Sequence, residues 1–306
     1  MKTFLKNIVL FFVLAILIGE VVVRLTHAVV DIPQRTIDEN GIQKYFPNQE
    51  GFWKGGNHKW VINEMGWAGE LPKSYDKLVM VIGDSFIENF MNPEECHQSI
   101  FLKSHMPNNN FLEAARAGVS FLEAMEIDRQ IDSLKPDHTL IYLNDKDFYE
   151  SVYDIEPLGD IMQVNLNTKK INYGILKAPR IKKVLYNWKL LYYFYNRFPL
   201  NQNTNKQIKD KKKDIEKYEL KIKEKAFQLV DYVIENYEIK NKTLVFHPHS
   251  NKEIIEKCKS SGFNVIALDS SKDSTWTFEH DSHWTCYGHK KAAEQVFKEL
   301  KKYISN

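Results

Sequence analysis

The chain has 306 residues, 43% of them hydrophobic, and its 42 Lys and Arg residues nearly balance its 40 Asp and Glu residues. The length suits one large domain with smaller additions, and the hydrophobic fraction is sufficient for a buried core. A net charge of +2 argues against a dedicated nucleic-acid-binding protein, which would carry a strong basic bias. We therefore predict a globular protein without a nucleic-acid partner.

The first 28 residues resemble an export signal. Lys2 and Lys6 precede an unbroken apolar run over residues 8–18, and apolar residues resume at 21–23. The first run has the length of a signal-peptide core, whereas the whole stretch 8–23 is a marginal membrane span. The segment is therefore an uncleaved signal anchor, a cleaved signal or, less in keeping with its lysines, a buried core helix.

We favour the uncleaved anchor, because the only candidate cleavage site, Thr26-His27-Ala28, is weak. Arg24 near its end could reach the membrane interface. Both export interpretations place the N-terminus inside and the rest of the chain across the membrane, by the positive-inside rule. The predicted location is the cell membrane, single-pass, with the main domain on the extracytoplasmic side.

Residues 29–75 are predicted to form a stem of short strands and turns, because glycines and prolines interrupt any helical period. Its aromatic residues either line a carbohydrate subsite or, as we favour, pack the stem onto the next domain. These aromatic residues are Tyr45, Phe46, Phe52, Trp53, Trp60 and Trp67.

The rest of the chain, residues 76–304, alternates apolar strands with amphipathic helices. This alternation predicts an α/β fold with a right-handed parallel sheet between helical layers. An aromatic-rich insertion at about 150–205 is expected to cover the site or pack as a helical lid. Strands are predicted at 78–82, 111–115, 138–143, 243–246 and 264–268, and helices at 119–134, 206–237, 254–258 and 288–304.

The first strand runs directly into Gly83-Asp84-Ser85. Ser85 therefore lies at the carboxyl edge of a central strand, where open α/β sheets place their chemistry. One hypothesis makes Ser85 a nucleophile. The alternative is that Asp84 and Ser85 only cap the following helix, a common role for both residue types.

Four blocks, each after a predicted strand or before the last helix, resemble the SGNH (GDSL-type) hydrolase superfamily. They contain Ser85 in Gly-Asp-Ser, Gly118 after the second strand, Asn144 after the third, and the pair Asp281 and His283 near the end. The matching regions are about 60–150 and 240–300. The resemblance implies a three-layer α/β/α, flavodoxin-like fold.

The resemblance also implies roles for these residues. A serine hydroxyl needs a base to take its proton, and His283 would do so near neutral pH with Asp281 as its carboxylate partner. The backbone N–H groups of Ser85 and Gly118 and the side-chain amide of Asn144 would form the oxyanion hole. No metal or other cofactor is expected.

Two departures from the superfamily pattern bear on this assignment. Tyr142 occupies a position that is usually Gly, and it could narrow the oxyanion pocket. The terminal pair is spaced Asp-x-His instead of Asp-x-x-His, so Glu279 is kept as a reserve for Asp281. The ending Asp-x-His-Trp resembles the branch that contains alginate O-acetyltransferases and related modifiers of cell-surface polysaccharides, which implies an acylated carbohydrate substrate.

Other candidate groups are weaker. His247 and His249 follow the fourth strand and could join Asp281 in a metal site. No third ligand has a convincing place, so a histidine near the substrate is the favoured role. Cys258 and Cys286 could form a disulfide, although the sequence leaves the pairing of its three cysteines open.

Three functions remain open from the sequence. The favoured one is a serine-dependent ester hydrolase acting on O-acyl groups, such as acetyl, of an exported polysaccharide or cell-wall glycan. The second is an O-acetyltransferase that uses the same residues and passes the acyl group to a glycan hydroxyl. The third is a non-catalytic glycan-binding or scaffold protein, supported only by the two departures above.

Overall fold

A sheet of five parallel strands with the spatial order 2-1-3-4-5 lies at the centre of the computed structural model, which describes residues 1–198 and 212–303. This order is the flavodoxin-like one, in which the direction in which successive strands are added across the sheet reverses between the first and third strands. The predicted α/β class with a central parallel sheet is confirmed. The strands are Leu78–Gly83, Asn110–Ala115, His138–Leu143, Lys242–Phe246 and Asn264–Ala267.

Helices cover both faces of the sheet. Along the first strand, Met80 and Ile82 enter one apolar core, whereas Val79 and Val81 enter a second. Because successive side chains of a strand point to opposite faces, the two cores are separate layers. The first core includes residues of helices Phe121–Ile131, Lys212–Asn236 and Lys252–Ser260, and the second includes residues of helices Gln98–His105 and Cys286–Leu300.

The stem contains two antiparallel hairpins. Tyr45, Trp60 and Trp67 are buried, so these rings pack the stem onto the domain and are not available to stack on a sugar. Phe46 is exposed. The domain boundaries at 28 and 75 stay predictions. The hairpin strands are Arg35–Ile37 with Gln43–Tyr45, and Glu50–Phe52 with Lys59–Val61; a 3₁₀ turn covers Lys54–Gly56.

A single helix, Lys2–Leu25, begins the chain. Its most apolar stretch has a mean hydropathy of 2.7 and is 6% buried, so the interpretation as a buried core helix does not fit. At 1.5 Å per residue the helix is about 36 Å long, compared with about 30 Å for a hydrocarbon core. It is therefore long and apolar enough to cross a membrane, a property that a signal sequence shares.

The insertion contains two short helices, Pro179–Asn187 and Lys189–Arg197, after the hairpin Gln163–Asn165 and Lys170–Asn172. The second helix packs against the N-terminal helix, which differs from the lid predicted over the site. The predicted segments 199–205 and 206–211, and residue 304, lie outside the described residues. Shorter elements near the sheet are helices Ser85–Glu88 and Asp145–Glu150, 3₁₀ turns Glu94–Cys96, Asp132–Leu134 and Ser274–Trp276, and the hairpin Thr277–Phe278 with Asp281–Trp284.

Cys96 and Cys286 form a disulfide, and Cys258 is a free, buried thiol. The suggested pairing of Cys258 with Cys286 is therefore wrong. Cys258 belongs to the apolar core on one face of the sheet, whereas the helix that begins at Cys286 packs on the opposite face.

Replacing both Cys96 and Cys286 with Ser is expected to lower the free energy of unfolding by about 2–5 kcal/mol, because the bridge closes a very long loop. The two cysteines are 190 residues apart in sequence. Denaturant unfolding of the full chain in detergent measures the change. The parent protein under reducing conditions is the control and should match the double variant. Equal midpoints for oxidised parent and variant would contradict the prediction.

Candidate active site

Ser85 is the first residue of a short helix that begins at the carboxyl end of the first strand. Asp84 caps this helix, since its Oδ1 accepts a hydrogen bond from the Phe86 N–H at 3.0 Å. The capping interpretation therefore holds for Asp84. It does not account for Ser85, whose Oγ lies 2.8 Å from His283 Nε2.

His283 in turn contacts Asp281. Its Nδ1 hydrogen-bonds to Asp281 Oδ1, which also accepts the His283 backbone N–H at 2.9 Å. Both residues lie on an extended strand, where positions two apart point to the same side, so the short Asp-x-His spacing brings the carboxylate to the ring. Glu279, the reserve carboxylate, is exposed, and its Oε1 lies 3.9 Å from Nε2 of His280.

The electrostatics of this pair suit an ionised carboxylate. The His283 backbone N–H and then its ring hold the pKa of Asp281 below its ordinary value. A carboxylate beside Nδ1 keeps the proton on that nitrogen, leaving Nε2 free to accept a proton from a hydroxyl.

The hairpin that carries His283 is fixed from several sides. The Phe86 ring stacks on the His283 ring at 4.7 Å between centroids. Asn92 Nδ2 donates to the Trp284 carbonyl at 2.9 Å, and the disulfide follows at Cys286. These contacts restrict the orientation of the imidazole toward Ser85.

Two backbone N–H groups are available near Ser85. The first belongs to Ser85 itself, because the first residues of a helix have no intrahelical acceptor. The second belongs to Gly118, which has a φ of +82° that favours glycine. The N–H groups of Ala117 and Val119 are already bonded, whereas that of Gly118 has no acceptor within the described parts of the chain.

Asn144 connects the third strand to the serine turn. Its Oδ1 accepts the Lys146 N–H at 2.8 Å and so caps the next helix, and its Nδ2 donates to Asp84 Oδ2 at 3.2 Å. An amide nitrogen carries two hydrogens, so one remains for a further acceptor. The structure thus brings Asn144 beside the turn that carries Ser85.

Tyr142 lies away from these donors. Its side chain is fully buried, and its hydroxyl donates to Gln98 Oε1 at 3.1 Å. It fills the core below the site, on the face of the sheet that packs against helices Gln98–His105 and Cys286–Leu300. This side chain therefore does not narrow the oxyanion pocket, in contrast to the expectation from the sequence.

Sequence reasoning missed a buried carboxylate, Glu88, that holds the Gly118 loop. Glu88 Oε1 accepts the Ala117 N–H at 2.9 Å and the Tyr45 hydroxyl, and its burial raises the Glu88 pKa. Arg35 donates to the Ala117 carbonyl at 3.1 Å from the stem side. The sequence does place a charged residue one helical turn after Ser85. Charged residues on short helices are usually exposed, so this position gave no sign that Glu88 is buried.

Two further buried carboxyl groups lie beside the serine turn. Asp147 Oδ2 accepts the Asn144 backbone N–H at 2.7 Å, and Asn144 also contacts Asp84 as described above. Burial raises the pKa of Asp84 to about 6 and holds that of Asp147 well above its ordinary value. The charge of Asp84 adds to the effect on Asp147.

His247 directly follows the fourth strand. The centroid of its ring lies 4.3 Å from that of the Phe86 ring and 4.7 Å from that of the Trp284 ring. Burial, with a contribution from His283, lowers the pKa of His247 to about 3, so its imidazole is neutral at physiological pH. His249 Nε2 lies 3.3 Å from Ser270 Oγ. Residues 1–198 and 212–303 contain no group of three or more potential metal ligands.

A cavity of about 640 Å³ opens beside the serine turn. Phe86 and Asn144 line it, as do His247 and Trp276. His247 Nε2 and Trp276 Nε1 are buried and have no hydrogen-bond partner in the described part of the chain. The cavity is thus large enough for a substrate group, and the two unpaired nitrogens lie below its surface.

No family model matches the sequence, and no curated protein matches it. Among solved structures, the chain is similar to a psychrotrophic esterase, EstA, from Pseudoalteromonas sp. (11% identity, 76% of this chain and 100% of that chain, TM-score 0.42). It is also similar to a protein of the G-D-S-L family from Desulfitobacterium hafniense DCB-2 (12% identity, 73% and 99%, TM-score 0.38). A GDSL-like lipase from Bacteroides thetaiotaomicron VPI-5482 is a third (10% identity, 74% and 89%, TM-score 0.31). These likenesses concern the fold alone.

Replacing Asp84 with Asn tests the buried carboxyl. Its pKa of about 6 lies above the unfolded value of 3.8, so the native state keeps a proton that the unfolded state loses. The parent should therefore lose stability relative to the variant as pH rises from about 4 to about 6, by up to about 3 kcal/mol.

Denaturant unfolding between pH 4 and 7 measures this difference. Asn also caps helices, so the turn itself should form in the variant. The matched control is Asp137→Asn at an exposed position, which should show little change in the difference with pH. A parent-to-variant difference that stays constant over this range would contradict the prediction.

Proposed function

We propose that this protein is a serine-dependent ester hydrolase acting on O-acyl groups of an exported polysaccharide or cell-wall glycan. The observation that carries the proposal is the line of contacts from Ser85 Oγ through both ring nitrogens of His283 to Asp281. Such a line activates a weak nucleophile by providing a base and an orienting carboxylate.

In the proposed reaction, Ser85 Oγ attacks the ester carbonyl carbon while its proton passes to His283 Nε2. The N–H groups of Ser85, Gly118 and Asn144 stabilise the oxyanion. The intermediate collapses, the sugar oxygen leaves with the proton from His283, and an acyl-enzyme remains. Water then attacks the acyl carbon and gives its proton to His283, which passes it to Ser85 Oγ as the bond between the acyl carbon and Oγ breaks and the acid leaves.

Two features support an exported substrate. The Cys96–Cys286 disulfide is typical of an oxidising compartment, which fits the extracytoplasmic side of a membrane. The apolar helix Lys2–Leu25 fits an anchor.

The same acyl-enzyme could pass its acyl group to a sugar hydroxyl instead of to water. The size of the cavity that Phe86 and Asn144 line favours this O-acetyltransferase alternative, because it leaves room for an acceptor next to the serine turn. The non-catalytic alternative loses its original support, since the short spacing delivers Asp281 to His283 and Tyr142 lies in the core.

Ser85→Ala and His283→Ala are each expected to lower the hydrolysis of p-nitrophenyl acetate by about 10⁴-fold or more, since each removes a member of a unit that acts together. The controls are Ser133→Ala and His280→Ala, which change exposed residues of the same types. Retained turnover in Ser85→Ala would rule out the serine mechanism.

The substrate is tested separately with acetylated and chemically deacetylated cell-envelope polysaccharides. Release of acetate from the acetylated glycan supports hydrolysis, and acetyl groups gained by an added oligosaccharide from p-nitrophenyl acetate support transfer. If neither glycan reacts while the small ester is cleaved, the glycan part of the proposal is wrong.

Glu88→Ala is expected to lower kcat by up to about 10²-fold with little effect on KM, because the Gly118 loop loses its anchor and the oxyanion donors shift. Glu88→Gln keeps an acceptor oxygen for the Ala117 N–H and should recover most of kcat. Steady-state kinetics measure the split. Equal losses in both variants, or a loss confined to KM, would contradict a positioning role.

A further inference from the structure

The two insertion helices each present an apolar stripe to the outside. In the first, Ile181 and Val184 lie on one helical face and are 71% and 59% exposed, and Trp188, which directly follows this helix, is 43% exposed. In the second, Phe194 is 49% exposed, and Phe198, which directly follows this helix and stacks on the Phe194 ring, is 65% exposed. Helices of globular proteins normally bury such a face. Leu191 and Tyr195 complete the second stripe.

These helices are joined to the N-terminal helix by specific contacts. The Glu20 carboxylate accepts the backbone N–H groups of Lys189, at 3.2 Å, and Leu190, at 2.7 Å, and so caps the second insertion helix. Arg24 donates to the Asn187 carbonyl, and Leu190 packs on Gly19. The exposed stripes therefore continue from an apolar helix that is itself almost fully exposed.

The level of these contacts along the N-terminal helix matches a membrane interface. Residues 2–18 precede the contacts and extend about 25 Å as a helix, close to the about 30 Å thickness of a hydrocarbon core. The insertion helices join at 19–24, where Gly19 and Glu20 interrupt the apolar stretch and Arg24 ends it. Trp and Tyr side chains are enriched at that depth, and the pair contributes Trp188, Tyr193 and Tyr195.

The charge of the first helix fits the same location. Arg180, Lys182 and Lys183 alternate with its apolar residues, and helix Pro179–Asn187 contains no acidic residue. Basic residues with bulky apolar ones on the other face are typical of helices that lie in the plane of an interface, and they are attracted to anionic headgroups.

We propose that the insertion helices, residues 179–198, lie in the headgroup region of the bilayer that the N-terminal helix crosses, with their apolar stripes against the acyl chains. The occupant of this surface is a lipid bilayer containing anionic lipid. The inference rests on the membrane anchor of the proposed function.

This arrangement would hold the active site close to the membrane. Arg35 and Tyr186 line one cavity of about 430 Å³ between the stem and the first insertion helix. Arg35 also donates to the Ala117 carbonyl in the loop that carries Gly118. A single stem residue thus connects the proposed membrane surface with the oxyanion loop.

The test uses the full chain in lipid nanodiscs, with nitroxide labels at Phe194→Cys, Phe12→Cys or Ile100→Cys. Ile100 is an exposed apolar residue on the catalytic domain, and the native free thiol, Cys258, is fully buried. Collision rates with oxygen and with a water-soluble nickel chelate are measured by electron paramagnetic resonance. Discs with and without anionic phosphatidylglycerol are compared, and circular dichroism checks the fold of each variant.

The expected result is a loss of nickel collisions and a gain of oxygen collisions at position 194 relative to position 100, with position 12 deeper still. Position 194 should be better protected from nickel in the anionic discs. If position 12 is deep and position 194 collides freely with nickel, the proposal is wrong while the anchor stands.

Two other outcomes also overturn the proposal. If position 12 is itself exposed to nickel, the anchor fails and the membrane surface fails with it. If position 194 is shielded from both oxygen and nickel, and its spectrum broadens when two labelled copies share a disc, a second copy of the chain covers the stripe instead of lipid.

Discussion

The hydrogen bond between Ser85 and His283 joins two residues that are 198 positions apart, and the site exists only because both are held at one edge of the sheet. Ser85 lies two residues after the end of the first strand, an interior strand of the sheet, so the sheet itself fixes it. His283 lies on a two-stranded ribbon outside the sheet, and it needs other restraints. The disulfide from Cys286 to Cys96 and the bond from Asn92 to the Trp284 carbonyl provide them.

Below this bond lies a layer of buried charged and polar groups, which is unusual because burying a carboxyl group is costly. Arg116 and Glu123 form a buried ion pair at 2.7 Å, and Glu88 and Asp84 bond backbone or amide N–H groups. Each bond fixes a loop that carries a donor for the proposed oxyanion hole. The free energy lost by burying these charged groups is thus spent at the loops whose backbone positions matter most for the proposed chemistry.

The sheet and most of the candidate site could be predicted from the sequence because their signals are local. Continuous apolar runs mark buried parallel strands, and polar residues after each run collect at one edge. The partner of Cys286 could not be predicted, because spacing does not tell which face of the sheet a helix covers. The short Asp281 spacing was ambiguous for a similar reason, since only an extended backbone puts residues two apart on one side. The sequence predicts that the insertion forms a lid, whereas its second helix packs against the N-terminal helix. An apolar stripe in a sequence does not identify the surface that covers it.

The Glu20 cap has a practical consequence for preparing the protein without its apolar helix. Val23 packs in a small cluster with Val29 and Tyr192, and Glu20 closes the first turn of helix Lys189–Arg197. Truncation after residue 28, a natural choice for removing the apolar helix, would leave that turn without its acceptor and uncover Tyr192. A cut near residue 18 would keep the last two turns of the helix, with their contacts to Leu190 and Tyr192, as part of the folded unit.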